Sequence, residues 1–147
     1  MLSQKAKYAL RALLHLARQP GELVLVGEIA EQQNVPHKFL ELILLELRKH
    51  GILFSQRWRK GGYTLARPVE AITFGEVIRI LDGPLAPLPC ASIVGYRRCV
   101  DCHDERTCEI RRVMCSVRNA VADILDNTSL ADAIAKGLDA ETTALAS

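Results

Sequence analysis

The sequence predicts a mainly α fold with a small β-hairpin wing: a winged helix-turn-helix domain followed by a long C-terminal dimerisation helix. Three observations carry that prediction. Two amphipathic segments are separated by a few residues around Asn34, a basic pair of β-prone runs with a glycine turn follows them directly, and a sustained apolar stripe runs from Cys108 to Asp126. A chain of 147 residues with 49% hydrophobic content is long enough to bury one core and carry an extension.

The opening "QKAKYALRALLHLARQPG" places Leu10, Leu13, Leu14 and Ala17 on one helical face and stops at Pro20-Gly21. After a β-like "LVLV", the segment "GEIAEQQN" predicts a two-turn helix closed by Asn34. "VPHKFLELILLELRKHG" predicts another, with Leu40, Ile43, Leu44 and Leu47 inward and Gly51 as its stop. These two form the helix-turn-helix. The runs Ile52 to Gln56 and Tyr63 to Ala66 flank Gly61-Gly62 and form the wing, with Arg57, Arg59, Lys60 and Arg67 on or beside it. "ITFGEVIRILDG" has Thr73 at an N-cap and Glu76 three residues on, a capping box. "GPLAPLP" is too rich in proline for an element interior and marks a connector.

In the last part of the chain, Ile110, Val113, Met114, Val117, Val121, Ile124 and Leu125 form a heptad-like stripe on one long helix. The helices of the winged domain already account for its core, so the stripe predicts a homodimer. "SLADAI" predicts one last short helix. The expected organisation is a DNA-binding domain at 1–83, a connector with a cysteine-rich sensor loop at 84–107, dimerisation and short C-terminal helices at 108–135, and a disordered tail at 136–147.

The net charge of +2, from 19 basic and 17 acidic residues, says little until the charges are placed. They gather on the predicted wing and recognition helix, which points to double-stranded DNA with a two-fold operator. At the start of the second helix His37, Lys38 and Glu41 face base edges: Lys38 can donate to guanine or bind a phosphate, and Glu41 can accept from cytosine. Arg57, Arg59 and Lys60 on the wing, and Tyr8 and Arg11 on the first helix, are backbone contacts. Trp58, at the wing tip, is expected to pack on the recognition helix. No run of apolar residues reaches the roughly 18 that cross a bilayer, and the first 19 residues alternate apolar with basic side chains. A cytoplasmic protein with reduced thiols is expected. His15, His37, His50 and His103 are dispersed and no glycine-rich phosphate loop follows a strand, so neither an enzyme nor a small-molecule substrate is implied.

The stretch "YRRCVDCHDERTCEIRRVMC" holds four of the five cysteines. Cys99, Cys102 and Cys108, spaced C-x2-C-x5-C, can converge on one metal centre from a flexible loop. Cys90 is the first choice for a fourth ligand, ahead of Cys115 and His103, with Asp101, Asp104 or a partner-subunit residue also open. If the helix begins at Cys108, Cys115 lies about 10.5 Å along its axis. Sulfurs sharing one zinc sit only about 4 Å apart, given Zn–S distances near 2.3 Å. The spacing admits an iron–sulfur cluster, 2Fe-2S or 4Fe-4S, or zinc, or no metal at all.

Taken together, "KAKYALRALLHLA", "VGEIAEQQNVPHKFLELILLELRKHGIL", "RWRKGGYTLAR", "ITFGEVIRILDG", the cysteine loop and "ILDNTSLADAI" resemble the bacterial Rrf-type winged-helix regulators, the IscR, NsrR, RirA and CymR-like proteins. The resemblance runs from about Leu2 to Ala135. It implies a homodimeric transcription factor, usually a repressor, whose cysteine loop controls operator binding. It also implies an iron–sulfur cluster held by three cysteines and a non-cysteine ligand. Cys102 and Cys108 keep the family's last interval, whereas Tyr96 stands where its first cysteine is expected, Arg111 where some members carry a ligating histidine, and Trp58 where a wing glycine is usual. Two other readings remain: a cluster-free thiol switch, its thiols acidified by Arg97, Arg98, Arg111 and Arg112, and a zinc-stabilised protein-interaction adaptor that does not bind DNA.

Overall fold

The computed structural model describes residues 2–57 and 61–145, with side chains described as far as 137. Trp58, Arg59 and Lys60, three of the predicted wing residues, lie outside the described residues. Helix α1 (Gln4–Ala17) opens on Ser3, whose hydroxyl accepts from the Ala6 amide at 3.0 Å. It ends three residues before the predicted Pro20-Gly21 stop, and its buried face, including Leu10, Leu13 and Leu16, packs against three other helices of the winged domain.

Helix α2 (Val26–Gln33) closes on Asn34, the one described non-glycine residue with positive φ, at 52°. That left-handed residue turns the chain within Val35 and Pro36 into α3 (His37–Lys49). Leu40, Ile43, Leu44 and Leu47 are fully buried, as their spacing predicts. Strands β1 (Leu53–Gln56) and β2 (Gly62–Leu65) pair antiparallel with Leu53 opposite Leu65 and Gln56 opposite Gly62. The β-like "LVLV" contributes one bridge, Val24 to Tyr63, with reciprocal amide bonds of 2.9 and 2.8 Å. Gly62 has φ 123°, and a Cβ there would stand 2.8 Å from the Val24 carbonyl oxygen, so only glycine lets the bridge form beside the turn.

After a 3-10 turn at Val69–Ala71, α4 (Phe74–Asp82) starts as predicted, with Thr73 Oγ1 accepting from the Glu76 amide at 3.2 Å. The Glu76 carboxylate takes both its bonds from Arg67, at 2.7 and 2.8 Å. Arg67, expected among the DNA-facing charges, is thus committed to joining the end of the hairpin to α4.

Helix α5 (Glu109–Asp126) contains no fully buried residue. Its half-buried positions Arg111, Met114, Cys115, Arg118, Ala122 and Leu125 recur at helical spacing and make one face. That face packs on α4 and on a second 3-10 turn, Pro89–Ala91. Of the predicted stripe, Met114 and Leu125 belong to this packed face, while Ile110, Val113, Val117, Val121 and Ile124 stand in solvent, with Ile110 65% and Ile124 66% exposed. Helix α6 (Leu130–Leu145) is longer than the short helix the sequence predicts and continues through most of the stretch expected to be a disordered tail. It is anchored at its start, where Leu130 is fully buried in the common core. Two backbone bonds, Phe74 to Thr128 at 3.0 Å and Leu130 to Ile72 at 2.9 Å, bind the α5–α6 junction to the winged domain.

Candidate nucleic-acid interface and cysteine loop

The alternation that buries Leu40, Ile43 and Leu44 turns His37, Lys38 and Glu41 outward at the start of α3. His37 Nδ1 lies 3.6 Å from Glu41 Oε1, one helical turn on, while Lys38 is exposed. Phe39, expected in the core, is 38% exposed and meets the Tyr8 ring edge-on at a centroid distance of 5.9 Å. Tyr8 is thereby half-buried against α3, which leaves Arg11 as the exposed member of the predicted α1 pair. Between α3 and the hairpin runs a groove lined in part by Leu25, Glu41, Arg48, Gln56 and Arg57. Arg48, which the sequence analysis passed over, donates to Ser55 Oγ at 2.9 Å and ties the recognition helix to β1. Its signal was available: a basic residue in the last turn of a helix that runs directly into a strand.

The cysteine loop is exposed apart from a small polar cluster. Cys99 is exposed, and Cys102 and Cys108 are half-buried. The Cys102 thiol is held above the ordinary thiol range, first by desolvation, then by its hydrogen bond to Cys108 and by the charges of Cys108, Cys99 and Glu105. For Cys102 the direction is opposite to the acidification expected from the loop arginines, and desolvation is its largest cause. Arg98 and Arg111 act instead on the Glu105 carboxyl, held below the usual range chiefly by the Tyr96 hydroxyl, against desolvation, with the Cys99 amide and those two arginines adding to it. Tyr96 donates to Glu105 Oε2 at 2.6 Å. Glu105 Oε1 is shut off from solvent with no hydrogen-bond partner.

Cys108 is also the N-cap of α5, its sulfur accepting from the Arg111 amide at 3.4 Å. A thiolate there would lie at the positive end of the helix dipole. Arg111, which cannot ligate a metal, bonds the Cys90 carbonyl at 2.9 Å, and Arg118 bonds the Ala91 carbonyl. These two arginines strap α5 to the 3-10 turn. Cys90 is buried in that turn, and Cys115 lies two helical turns past Cys108 on the packed face of α5; neither is among the groups that act on Cys102. His103 and Asp101 are exposed, and Asp104 is taken up by the amide and guanidinium of Arg106, at 3.0 and 3.3 Å. Among the described residues no group of three or more His, Cys, Asp or Glu side chains is placed to hold a metal ion. Three thiols on one loop, Cys99, Cys102 and Cys108, are donors of the soft kind that iron–sulfur and zinc centres use. The sequence does not announce the pairing of Tyr96 with Glu105. The signal for Glu105 was a carboxylate inside the C-x5-C interval, but no periodicity marks its pairing with a tyrosine nine residues upstream.

Residues 2–136 match the family model Rrf2, described as an iron-dependent transcriptional regulator. An rrf2-like protein of Rhodobacter capsulatus, named as an HTH-type transcriptional regulator, is 44% identical over 93% of this chain and 94% of its own length. The solved structure of CymR, the global cysteine regulator of B. subtilis, superposes with a TM-score of 0.77 at 31% identity, covering 92% of this chain and 97% of that one. That of T. potens IscR superposes with a TM-score of 0.73 at 29% identity, covering 95% and 90%. The helix-turn-helix, the wing and these likenesses agree, and the chain belongs to the Rrf2 family of transcriptional regulators.

Proposed function

We propose that this protein is a cytoplasmic, homodimeric repressor that binds a two-fold operator through His37, Lys38, Glu41, Arg11 and the wing, Arg57, Arg59 and Lys60 included. Its affinity would be set by an iron–sulfur cluster on Cys99, Cys102 and Cys108. The observation that carries the reading is the double role of Cys108, which belongs to the thiol group and caps the helix whose exposed stripe fits a second copy. When bound, a cluster supplies an oxygen- and redox-sensitive centre.

The chain's own residues do the rest. Cys99, Cys102 and Cys108 would hold the cluster, and because the Cys108 sulfur also caps α5, its ligation would compete with the cap that orders the first turn of that helix. The Arg111 and Arg118 straps hold that turn against the connector. At the far end of α5, Asp126 pairs with Arg79 of α4 at 2.5 Å, and the Thr128 carbonyl accepts from Phe74. A shift of α5 therefore reaches α4 and, through α1, the recognition helix, changing the spacing of two recognition helices across a dimer. Anaerobic purification with iron, sulfide and zinc analysis, followed by fluorescence-anisotropy titration of the gene's own upstream duplex, tests this. A brown protein whose DNA affinity changes at least severalfold on cluster loss is expected. A colourless protein that cannot be reconstituted would remove the cluster, and DNA binding insensitive to salt would remove the interface.

The contact between Cys102 and Cys108 favours a second reading, a thiol switch. Oxidation by a peroxide would take two electrons and two protons from this pair, forming one S–S bond and reducing the peroxide to water. Disulfide mapping by mass spectrometry after peroxide treatment of the metal-free protein separates it from the first.

A further inference from the structure

We propose that Leu42 is a base-reading residue of the recognition helix, and that it selects a thymine by packing on its C5 methyl group in the major groove. This rests on the operator-binding reading above and deepens it, naming one base that each half-site carries and the group of that base that is read.

The buried face of α3 is made by Leu40, Ile43, Leu44 and Leu47. At about 100° per residue, from 3.6 residues per turn, the line opposite that face holds Lys38, Leu42, Leu45 and Lys49. This crest is the part of the helix that reaches deepest into a groove. Leu42 stands in its middle and is 64% exposed, more than any other large apolar side chain of α2 or α3. Neither Leu42 nor Leu45 belongs to the hydrophobic core or packs against it. An isolated exposed leucine signifies little. One at the centre of a reading face, with a lysine one turn before it and another two turns after it, has a position to explain.

The neighbours of the crest say what the leucine meets. Lys38, Lys49 and Arg11 are exposed, and Lys5 neutralises Glu46 on the flank of the crest at 2.5 Å. Glu41 stands on the other flank, within 3.6 Å of the His37 ring. A leucine ringed by free cations suits the edge of a polyanion better than an apolar protein surface. Among the base edges of the major groove the thymine methyl is the one apolar group. Guanine, adenine and cytosine present donors and acceptors there, which a leucine desolvates and leaves unpaired. Leu42 therefore favours thymine and also penalises the alternatives.

The test uses the full-length protein. Wild type first selects its preferred duplex from a randomised pool; anisotropy titrations at fixed salt then compare that duplex with copies in which single thymines are replaced by uracil, a change that removes only the C5 methyl. Each copy is titrated with wild type, Leu42→Ala and Leu42→Gln. One thymine position per half-site should show a penalty of about three- to fivefold in wild type, the scale of one buried methyl group. Leu42→Ala should bind the thymine and uracil copies alike, with its circular dichroism unchanged. Leu42→Gln, which can pair with adenine N6 and N7, should shift the preference at that position to adenine. This variant also decides the question if Leu42→Ala fails to fold. Uracil penalties of equal size in wild type and both variants overturn the assignment. So does a Leu42→Ala protein that changes its sedimentation instead of its base preference, which would put a second copy on the crest. Wild type that selects no sequence and binds no duplex defeats the operator-binding reading itself.

Discussion

Asp126, the last residue of α5, holds both guanidinium nitrogens of Arg79 on α4, at 2.5 and 2.9 Å, directly over the bare backbone of Gly75. A Cβ on Gly75 would overlap Asp126 Oδ1 and stand 3.0 Å from Arg79 Nη1. The absence of a side chain at this position of α4 leaves the space in which Asp126 and Arg79 pair.

Replacing Gly75 by alanine should break this pair. Both partners are about two-fifths exposed, at 40 and 43%, so the ion pair itself contributes less than about 1 kcal/mol; the displacement of α5 should be felt more in DNA affinity than in stability. Urea unfolding and anisotropy measured on the same Gly75→Ala sample check this. The Asp126 carboxyl is held below its usual range by hydrogen bonding to Arg79. Its contribution is therefore present above the unfolded value near pH 4 and is lost as pH falls through the lower folded value. Asp126→Asn should narrow the stability difference between pH 6 and pH 3, and an unchanged difference would contradict the pairing.

Lys38 is exposed at the start of α3 and packs on nothing that holds the fold. Lys38→Ala should leave the thermal transition within a degree or two and weaken DNA binding by about tenfold. If Lys38 meets a phosphate, the slope of log affinity against log salt falls by about one; if it meets a base, discrimination between sequences falls instead.

Val113 and Val117 stand on the exposed stripe of α5, 56 and 40% accessible in the single chain. A charge there has nothing to disturb within the subunit. Val113→Asp with Val117→Asp should retain the helical circular-dichroism spectrum and sediment at the 16.3 kDa of one chain, with operator affinity sharply reduced. A double variant that remains dimeric would place the interface elsewhere.

Cys108 caps α5 through its sulfur. Serine is a better cap than alanine, so Cys108→Ser should hold the helix while Cys108→Ala loses about 1 kcal/mol of stability. Under the proposed cluster function, both should hold less iron than wild type after reconstitution. Helicity at 222 nm and iron content, measured together, separate the capping role from the ligating one.

Much of the winged domain was legible because its signals are local. Leu40, Ile43, Leu44 and Leu47 announce the buried face of α3, Asn34 its preceding turn, and Thr73 the start of α4. The long helix after Cys108 was legible for the same reason, down to Cys115 lying off its apolar stripe. The cysteine loop was legible only as a set of donors. Arg67 read as one more wing cation until its bonds to Glu76 were seen, Tyr8 read as a backbone contact until Phe39 was found against it, and Glu105 was passed over entirely.

The amino-acid sequence by itself determined the helix-turn-helix, the wing and the long helix with its apolar stripe, since apolar periodicity and capping act between residues a few positions apart. The tertiary structure decided which charges are spent and which are free: Arg67 on Glu76, Arg111 and Arg118 on the turn at Cys90, Asp126 on Arg79, and Glu105 Oε1 on nothing. The physical reason is that a side chain's charge can be satisfied by any partner the fold brings within about 3 Å, and sequence distance does not limit which partner that is.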